Sequence, residues 1–143
     1  MWPRIGGLRT LDLGTPGELR TYLNTLVLAG VKQATAGLLS EYEREGEELE
    51  HVGERLALVD DHDGLVAVVQ VTGVEVVRFA QVSWDFARSE GEGDASLEEW
   101  RAGHQRFWAR AGTPVDDDTA IVCVRFRLVS AGHGGITTGD LGT

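Results

Sequence analysis

The feature that most constrains the fold is a long run rich in β-branched residues, Leu65 to Val77. Valine and threonine suit the pleated, half-buried surface of a sheet, so the run predicts a strand. The alternating segment Arg55 to Asp60 predicts a second strand just before it. Between the two, Asp61-His62-Asp63-Gly64 has the composition of a turn. The sequence therefore predicts a β-hairpin, and the acidic residues at its tip are interpreted as turn residues rather than as metal ligands.

One more strand and several helices complete an α+β pattern. Residues 119–129 alternate between apolar and polar side chains and are expected to join the hairpin in one sheet. The capping box Thr15 to Glu18 predicts a helix that ends at Gly30, a natural residue for the left-handed position beyond a helix. A short helix is expected after Gly37, and the capping box Ser96 to Glu99 predicts a helix of about four turns.

The last of these helices carries an aromatic stripe. Trp100, His104 and Trp108 are spaced by four residues, which places them on one helical face. An amphipathic helix must bury one face, so both tryptophans are expected in the core. His104 on the same stripe is either a hydrogen-bonded core residue or part of a pocket wall.

Charge and composition limit the classes of partner. The formal net charge of −10 disfavours a broad nucleic-acid platform, which needs many basic residues to neutralise phosphates, but it allows a pocket for one nucleoside or a short single strand. No apolar run reaches the length of a membrane span, and the first residues lack the long apolar region of a secretory signal. With the single cysteine, Cys123, these features predict a cytoplasmic protein, and no membrane partner, metal or cofactor is expected.

The domain organisation predicted from the sequence is simple. Residues 1–14 contain three glycines and no clear period, so they are expected to form an irregular arm. Residues 15–130 hold all the predicted helices and strands and form one domain. The glycine-rich residues 131–143 are expected to be a disordered tail. Nothing in the sequence predicts an oligomeric state.

The stretch Gly30 to Gly37 contains the most unusual pair of side chains. Lys32 is the only lysine in the chain, and Thr35 follows it by three residues. Lysine can lose its proton when it is desolvated, whereas arginine effectively cannot. Residues three apart lie on one face of a helical turn, so an amine and a hydroxyl could meet there as base and nucleophile. The alternative is a helix C-cap followed by a surface lysine.

Several short motifs occur in an order that resembles the ASCH domain family, in particular its longer bacterial branch. They are Gly30-x-Lys32-x-x-Thr35, Tyr42, Val52-Gly53-Glu54, Phe86-Ala87-x-x-Glu90-Gly91-Glu92-Gly93-Asp94, Trp100-Arg101-x-x-His104 and Val122-Cys123-x-Arg125-Phe126. The resemblance covers most of residues 15–130. It implies a small PUA-like mixed β-barrel flanked by about three helices, with a cleft beside the barrel.

The resemblance also implies recognition of RNA or of a modified nucleoside. Some small bacterial members hydrolyse N4-acetylcytidine with a lysine, a threonine and a glutamate, which match Lys32, Thr35 and Glu90. Thr35 would attack the acyl carbonyl while Lys32 takes the hydroxyl proton and Glu90 holds or relays it. In a second assignment Lys32 stays charged and stabilises the oxyanion while Glu90 is the base. The two assignments remain open at this point.

Two other functions fit the same residues. In a non-catalytic module for RNA or a nucleotide, Lys32 would contact phosphate, Tyr42 or Trp84 would stack on a base, and Arg125 would add positive charge. In a ribonuclease, Lys32, Tyr42 and His104 would share the acid–base roles. The expected ligand-binding residues are therefore Tyr42, Trp84, Glu92, His104 and Arg125.

Overall fold

The computed structural model describes residues 1–131. The strands are β1 (Arg4–Ile5), β2 (Leu8–Leu11), β3 (Ala34–Leu38), β4 (Arg55–Val59), β5 (Leu65–Arg78) and β6 (Ala120–Ala131). The α-helices are α1 (Glu18–Leu28), α2 (Leu39–Glu45), α3 (Trp84–Ser89) and α4 (Leu97–Arg110), and a short 3-10 helix covers Phe79–Gln81. The α+β class predicted from the sequence is confirmed.

The six strands of the described residues form one mixed sheet in the order β1-β2-β4-β5-β6-β3. The predicted hairpin is β4 paired with β5, and β6 lies antiparallel to β5, so the prediction that the three share a sheet is confirmed. Strand β5 pairs with β6 along nearly its whole length, with register shifts at Val68/Val69 and Val71/Gly73. Irregularities of this kind bend a strand. The hydrogen-bonded sheet is nevertheless open rather than closed into the barrel that the resemblance implied, with β1 and β3 at its edges.

The N-terminal residues are more regular than expected. Residues 1–14 contain β1 and β2, which pair with each other around Gly6 and Gly7, and β2 then runs parallel to β4. The expectation of an irregular arm is therefore wrong. Strands of two and four residues are too short to show a period in the sequence. Strands this short can be identified only in the structure, where a partner strand completes their hydrogen bonds.

The start of α1 also differs from the prediction. Its N-cap is Gly17 rather than Thr15, and no side chain of the capping residue accepts a hydrogen bond. The amide of Gly17 instead donates to Asp61 in the hairpin turn, at 2.8 Å. A tertiary contact thus replaces the local capping box. The predicted disordered tail falls, except for Ala131 in β6, outside the described residues. No helix within residues 1–131 is long and apolar enough to cross a membrane.

Two apolar clusters pack against the sheet, one built on α1 and the middle of β4–β6, the other on α3 and α4. Trp100 and Trp108 belong to the second cluster and are buried, as predicted. Trp108 is 4% exposed and packs edge-on against Phe79. Helix α4 is therefore held by its aromatic face, which fixes the position of His104 between the two tryptophans.

We expect Trp108→Ala to lower the free energy of unfolding by roughly 3–5 kcal/mol, the usual cost of truncating a large core side chain. Tyr22→Ala is the matched control, because Tyr22 is 52% exposed and its loss should change stability by less than about 0.5 kcal/mol. Urea unfolding of both variants measures the difference. Equal midpoints for the two variants would mean that the aromatic face of α4 does not support the core.

Candidate functional site

The segment after α1 carries the lysine that the sequence singled out. Gly30 adopts a positive φ of 76°, and the amides of Val31 and Lys32 both donate to the Leu26 carbonyl, which closes the helix end. The chain then enters β3, with Thr35 as its second residue. Lys32 and Thr35 are therefore not on one turn of a helix, and that interpretation of their spacing is wrong. A spacing of three has this meaning only if the backbone is helical, and here it becomes extended.

Lys32 is buried in a network of acceptors and is not the surface residue of the alternative interpretation. Its side chain is only 1% exposed. The ammonium donates to the Ala34 carbonyl at 2.7 Å, to Glu92 Oε2 at 2.7 Å and to Glu90 Oε2 at 3.2 Å. An ammonium group has three hydrogens, so each has an acceptor in this arrangement.

Glu90 lies at the C-terminal end of α3 and is also buried. Its Oε1 accepts a hydrogen bond from the Trp100 indole at 2.5 Å and lies 3.1 Å from His104 Nε2. The predicted convergence of Lys32 and Glu90, which are 58 residues apart, is confirmed. Trp100 was predicted only as a core residue. Trp100 lies four residues before His104, on the same helical face. That spacing was the one signal in the sequence that Trp100 and His104 could both contact Glu90.

The two ends of the buried pair hold each other in the charged form. Burial is the largest influence on Lys32 and lowers its pKa, but the charges and hydrogen bonds of Glu90 and Glu92 together outweigh it, so the pKa of Lys32 is raised. Burial likewise raises the pKa of Glu90, and the opposing effects of Lys32, His104 and Trp100 bring that pKa below its ordinary value. Both groups are therefore ionised at neutral pH.

His104 connects this pair to helix α4. Its Nδ1 lies 2.9 Å from the Trp100 carbonyl and its Nε2 faces the Glu90 carboxylate. Both partners are hydrogen-bond acceptors, an arrangement that favours the protonated imidazole, which donates from both nitrogens. Burial lowers the pKa of His104, but the hydrogen bond and charge of Glu90 outweigh that effect and raise it. The ring stacks on Trp100 with centroids 4.0 Å apart.

These side chains open onto a cavity of about 240 Å³. Its wall includes five of the residues selected from the sequence, which are Lys32, Thr35, Glu90, Glu92 and His104. Asp94, which belongs to the quoted glutamate–glycine segment but was not among the predicted ligand-binding residues, lines it as well, and burial raises its pKa. The cavity therefore presents a hydroxyl, carboxylates, the buried Lys32 ammonium and the partly buried His104 imidazole to a small ligand.

The turn that carries the two glutamates approaches the Lys32 backbone closely. Gly91 has a φ of 66°, and a Cβ atom on it would lie 2.2 Å from the Val31 carbonyl oxygen. Only glycine fits such a position, because other residues rarely adopt this φ and the opposing atom belongs to the backbone. The contact fixes Glu90 and Glu92 on either side of Gly91 against the lysine.

A second cavity, of about 370 Å³, adjoins the first (240 Å³) and contains Tyr42 in its wall. The Tyr42 hydroxyl donates to Glu50 Oε1 at 2.8 Å, and both groups are buried. Burial raises the pKa of Tyr42 and also that of Glu50. Tyr42 thus lies next to the Lys32 site and not inside it.

The other two expected ligand-binding residues are not brought to either cavity. The Arg125 guanidinium pairs with Asp85 at 3.0 Å and lies over the Phe86 ring at 5.5 Å from its centroid. Trp84 is partly buried against the apolar cluster of α3 and α4. Both residues therefore contact helix α3 or its apolar cluster and not a ligand cavity. Sequence spacing alone could not distinguish these two environments.

Comparisons with known proteins identify one family and two similar structures. A family model described as the ASCH domain matches residues 11–130. The crystal structure of a protein from Enterococcus faecalis is similar, with a TM-score of 0.76 and 28% identity over 90% of this chain and 80% of that one. The ASCH domain from Lactobacillus crispatus has a TM-score of 0.74 and 29% identity, over 85% of this chain and 79% of that one. No curated protein sequence matches the chain.

Proposed function

The chain belongs to the ASCH domain family, and from that membership and the geometry of its site we propose that it binds an N4-acylated cytidine and hydrolyses the acyl amide. The observation that carries the proposal is the Thr35 hydroxyl on the wall of the same cavity as the buried, charged Lys32. A threonine hydroxyl becomes a nucleophile when a neighbouring group takes its proton, and a fixed positive charge stabilises the oxyanion that forms.

The raised pKa of Lys32 favours the assignment in which this residue stays charged. All three of its hydrogens have acceptors in the free protein, so a substrate carbonyl must replace one of them. Glu92 is the group most easily replaced, because its side chain is 26% exposed whereas that of Glu90 is 2% exposed. It also lies between two glycines, Gly91 and Gly93. The substrate oxygen would then accept a hydrogen bond from Lys32 in place of Glu92.

The displaced Glu92 carboxylate is our candidate for the base. Glu90 suits that role less well, because Lys32, Trp100 and His104 already donate to its two oxygens. Its lowered pKa also makes it a weak proton acceptor. Glu90 would instead keep Lys32 charged and in position from the buried side.

The proposed reaction forms and then hydrolyses a threonine ester. Thr35 Oγ forms a bond to the acyl carbon while its proton passes to Glu92, and the negative charge on the carbonyl oxygen is stabilised by Lys32. The bond from carbon to N4 then breaks as Glu92 returns the proton to the departing nitrogen, which releases cytidine. Water hydrolyses the threonine ester and yields the carboxylic acid. The net reaction consumes one water and needs no redox partner.

The pH dependence distinguishes the two roles for Lys32. If the charged form is required, kcat/KM for N4-acetylcytidine should not increase between about pH 8 and pH 10, because a raised pKa keeps Lys32 protonated throughout that range. A neutral Lys32 base would instead make kcat/KM rise about tenfold per pH unit. Initial rates, corrected for the uncatalysed reaction, measure the slope. A rise of that size would contradict the charged role.

Turnover tests the function directly. The purified protein is incubated with N4-acetylcytidine and, separately, with short single-stranded RNAs, and the products are separated by chromatography. We expect release of cytidine and no cleavage of RNA. Saturable binding of the nucleoside without turnover would support the non-catalytic module instead. Cleaved RNA would support the ribonuclease, which the separation of Tyr42 from Lys32 and His104 into another cavity makes less favourable.

A further inference from the structure

Thr35 lies at the boundary between the two cavities. The first cavity (240 Å³) and the second (370 Å³) have in common a wall formed by Leu13, Gly14, Thr35, Ala36, Phe107 and Trp108. In the proposed reaction Thr35 attacks the acyl carbon, so that carbon must also lie at this boundary. The two halves of the substrate then extend to opposite sides, with the nucleoside in one cavity and the acyl substituent in the other.

The residues that line the two cavities indicate which cavity holds the nucleoside and which holds the acyl substituent. The first cavity holds the charged groups Lys32, Glu90 and Glu92, which suit the polar edge of a base and the proton transfer to N4. Among the described residues that line the second cavity, none is basic, so it offers no partner for a phosphate. Most of the side chains that it presents are apolar, among them Trp2, Leu11, Leu56 and Val124, and its wall also includes the acidic Asp12 and Glu41. Its buried carboxylate, Glu50, already accepts from Tyr42.

We infer that the second cavity is a subsite for the acyl group, and that the substrate class is N4-acylcytidines whose acyl group is an apolar chain of several carbon atoms. This inference rests on the proposed function. A volume of about 370 Å³ far exceeds the space that the single methyl of an acetyl group needs. Each further methylene that enters an apolar site should increase kcat/KM about fourfold, which corresponds to about 0.8 kcal/mol.

Gly37 offers a variant that alters only the second cavity. It lines that cavity and not the first. A Cβ atom on Gly37 would lie 3.6 Å from Tyr42 Cε1, an ordinary contact, and its φ is not in the left-handed region. Gly37→Ala therefore adds little bulk, whereas Gly37→Val places a branched side chain beside Tyr42. Valine also suits a strand, so β3 should be retained.

The experiment compares N4-acetylcytidine with N4-butanoylcytidine. For the unmodified protein, the two extra methylenes should raise kcat/KM roughly 15-fold. Gly37→Val should reduce that ratio to about one, with the ratio of Gly37→Ala close to that of the unmodified protein. A ratio near one in the unmodified protein would overturn the inference. An equal loss of kcat/KM for both substrates in Gly37→Val would overturn it as well.

Calorimetric binding of the same two nucleosides separates this inference from the proposed reaction. Suppose that neither nucleoside is hydrolysed, but N4-butanoylcytidine binds more tightly and Gly37→Val removes this difference in affinity. The acyl subsite is then supported and the proposed reaction is wrong. If N4-acetylcytidine is hydrolysed and neither rate nor affinity depends on chain length, the reaction stands and the acyl subsite is wrong.

Discussion

Replacing Thr35 by valine should lower kcat for N4-acetylcytidine by a factor on the order of 10³ or more, since loss of a nucleophile removes nearly all chemical catalysis. Valine has nearly the shape of threonine but no hydroxyl, so the cavity should keep its form. Thr35 makes no side-chain hydrogen bond within residues 1–131 whose loss would disturb β3. Nucleoside affinity should therefore change little.

Thr35→Ser is the matched control for this change, because it keeps the hydroxyl and loses only a methyl group. Its kcat should remain within about tenfold of the unmodified protein. Initial rates by chromatography, with urea unfolding to verify the fold, give the comparison. Equal activities in the valine and serine variants would show that Thr35 is not the nucleophile.

The second large effect is expected at Gly91. An alanine there would place its Cβ 2.2 Å from the Val31 carbonyl oxygen while the backbone stays at a φ of 66°. One of the two segments must move, so we expect a loss of roughly 3 kcal/mol or more in the free energy of unfolding. Turnover should be lost as well, because Glu90 and Glu92 move away from Lys32.

Gly93→Ala separates the clash from the conformational strain. Gly93 also has a positive φ, 90°, but no atom lies within 4 Å of a Cβ placed there. The strain alone should cost roughly 1–2 kcal/mol. Urea unfolding of the two alanine variants measures the gap between them. If both lost the same stability, the close approach of the turn to Val31 would not be what fixes the glutamates.

The main elements of the fold could be predicted from local patterns. The β-branched run and the turn before it predicted β4 and β5, and the alternation of residues 119–129 predicted β6. Strands β1 and β2 could not be predicted, because they are too short to show a pattern and depend on β4 for their hydrogen bonds. Closure of the sheet is likewise a property of strand order and not of any one segment.

The site was only partly predictable, because it too depends on contacts between segments that are distant in the sequence. Lys32 was conspicuous as the single lysine, but its pairing with Glu90 across 58 residues was expected only from the family resemblance. No local rule connects a loop after α1 with the end of α3. Tyr42 and Arg125 show the converse, because their residue types suit a ligand site while their actual partners are Glu50 and Asp85.

In the proposed reaction the buried Lys32 serves catalysis and not only the fold. Lys32→Met alone leaves Glu90 without its ammonium partner and should destabilise the protein by roughly 3–5 kcal/mol, the cost of breaking a buried ion pair. The double variant Lys32→Met with Glu90→Gln removes both charges together. It should recover part of that stability, because neither member of the pair is left charged without the other, although His104 loses its carboxylate partner.

The most direct test is therefore turnover of N4-acetylcytidine by this double variant at a temperature where urea unfolding shows it to be folded. We expect release of cytidine at the uncatalysed rate, because the charge that stabilises the oxyanion is gone although the fold is intact. Cytidine release within about tenfold of the unmodified protein would show that the Lys32–Glu90 pair is structural and that Lys32 does not stabilise the oxyanion.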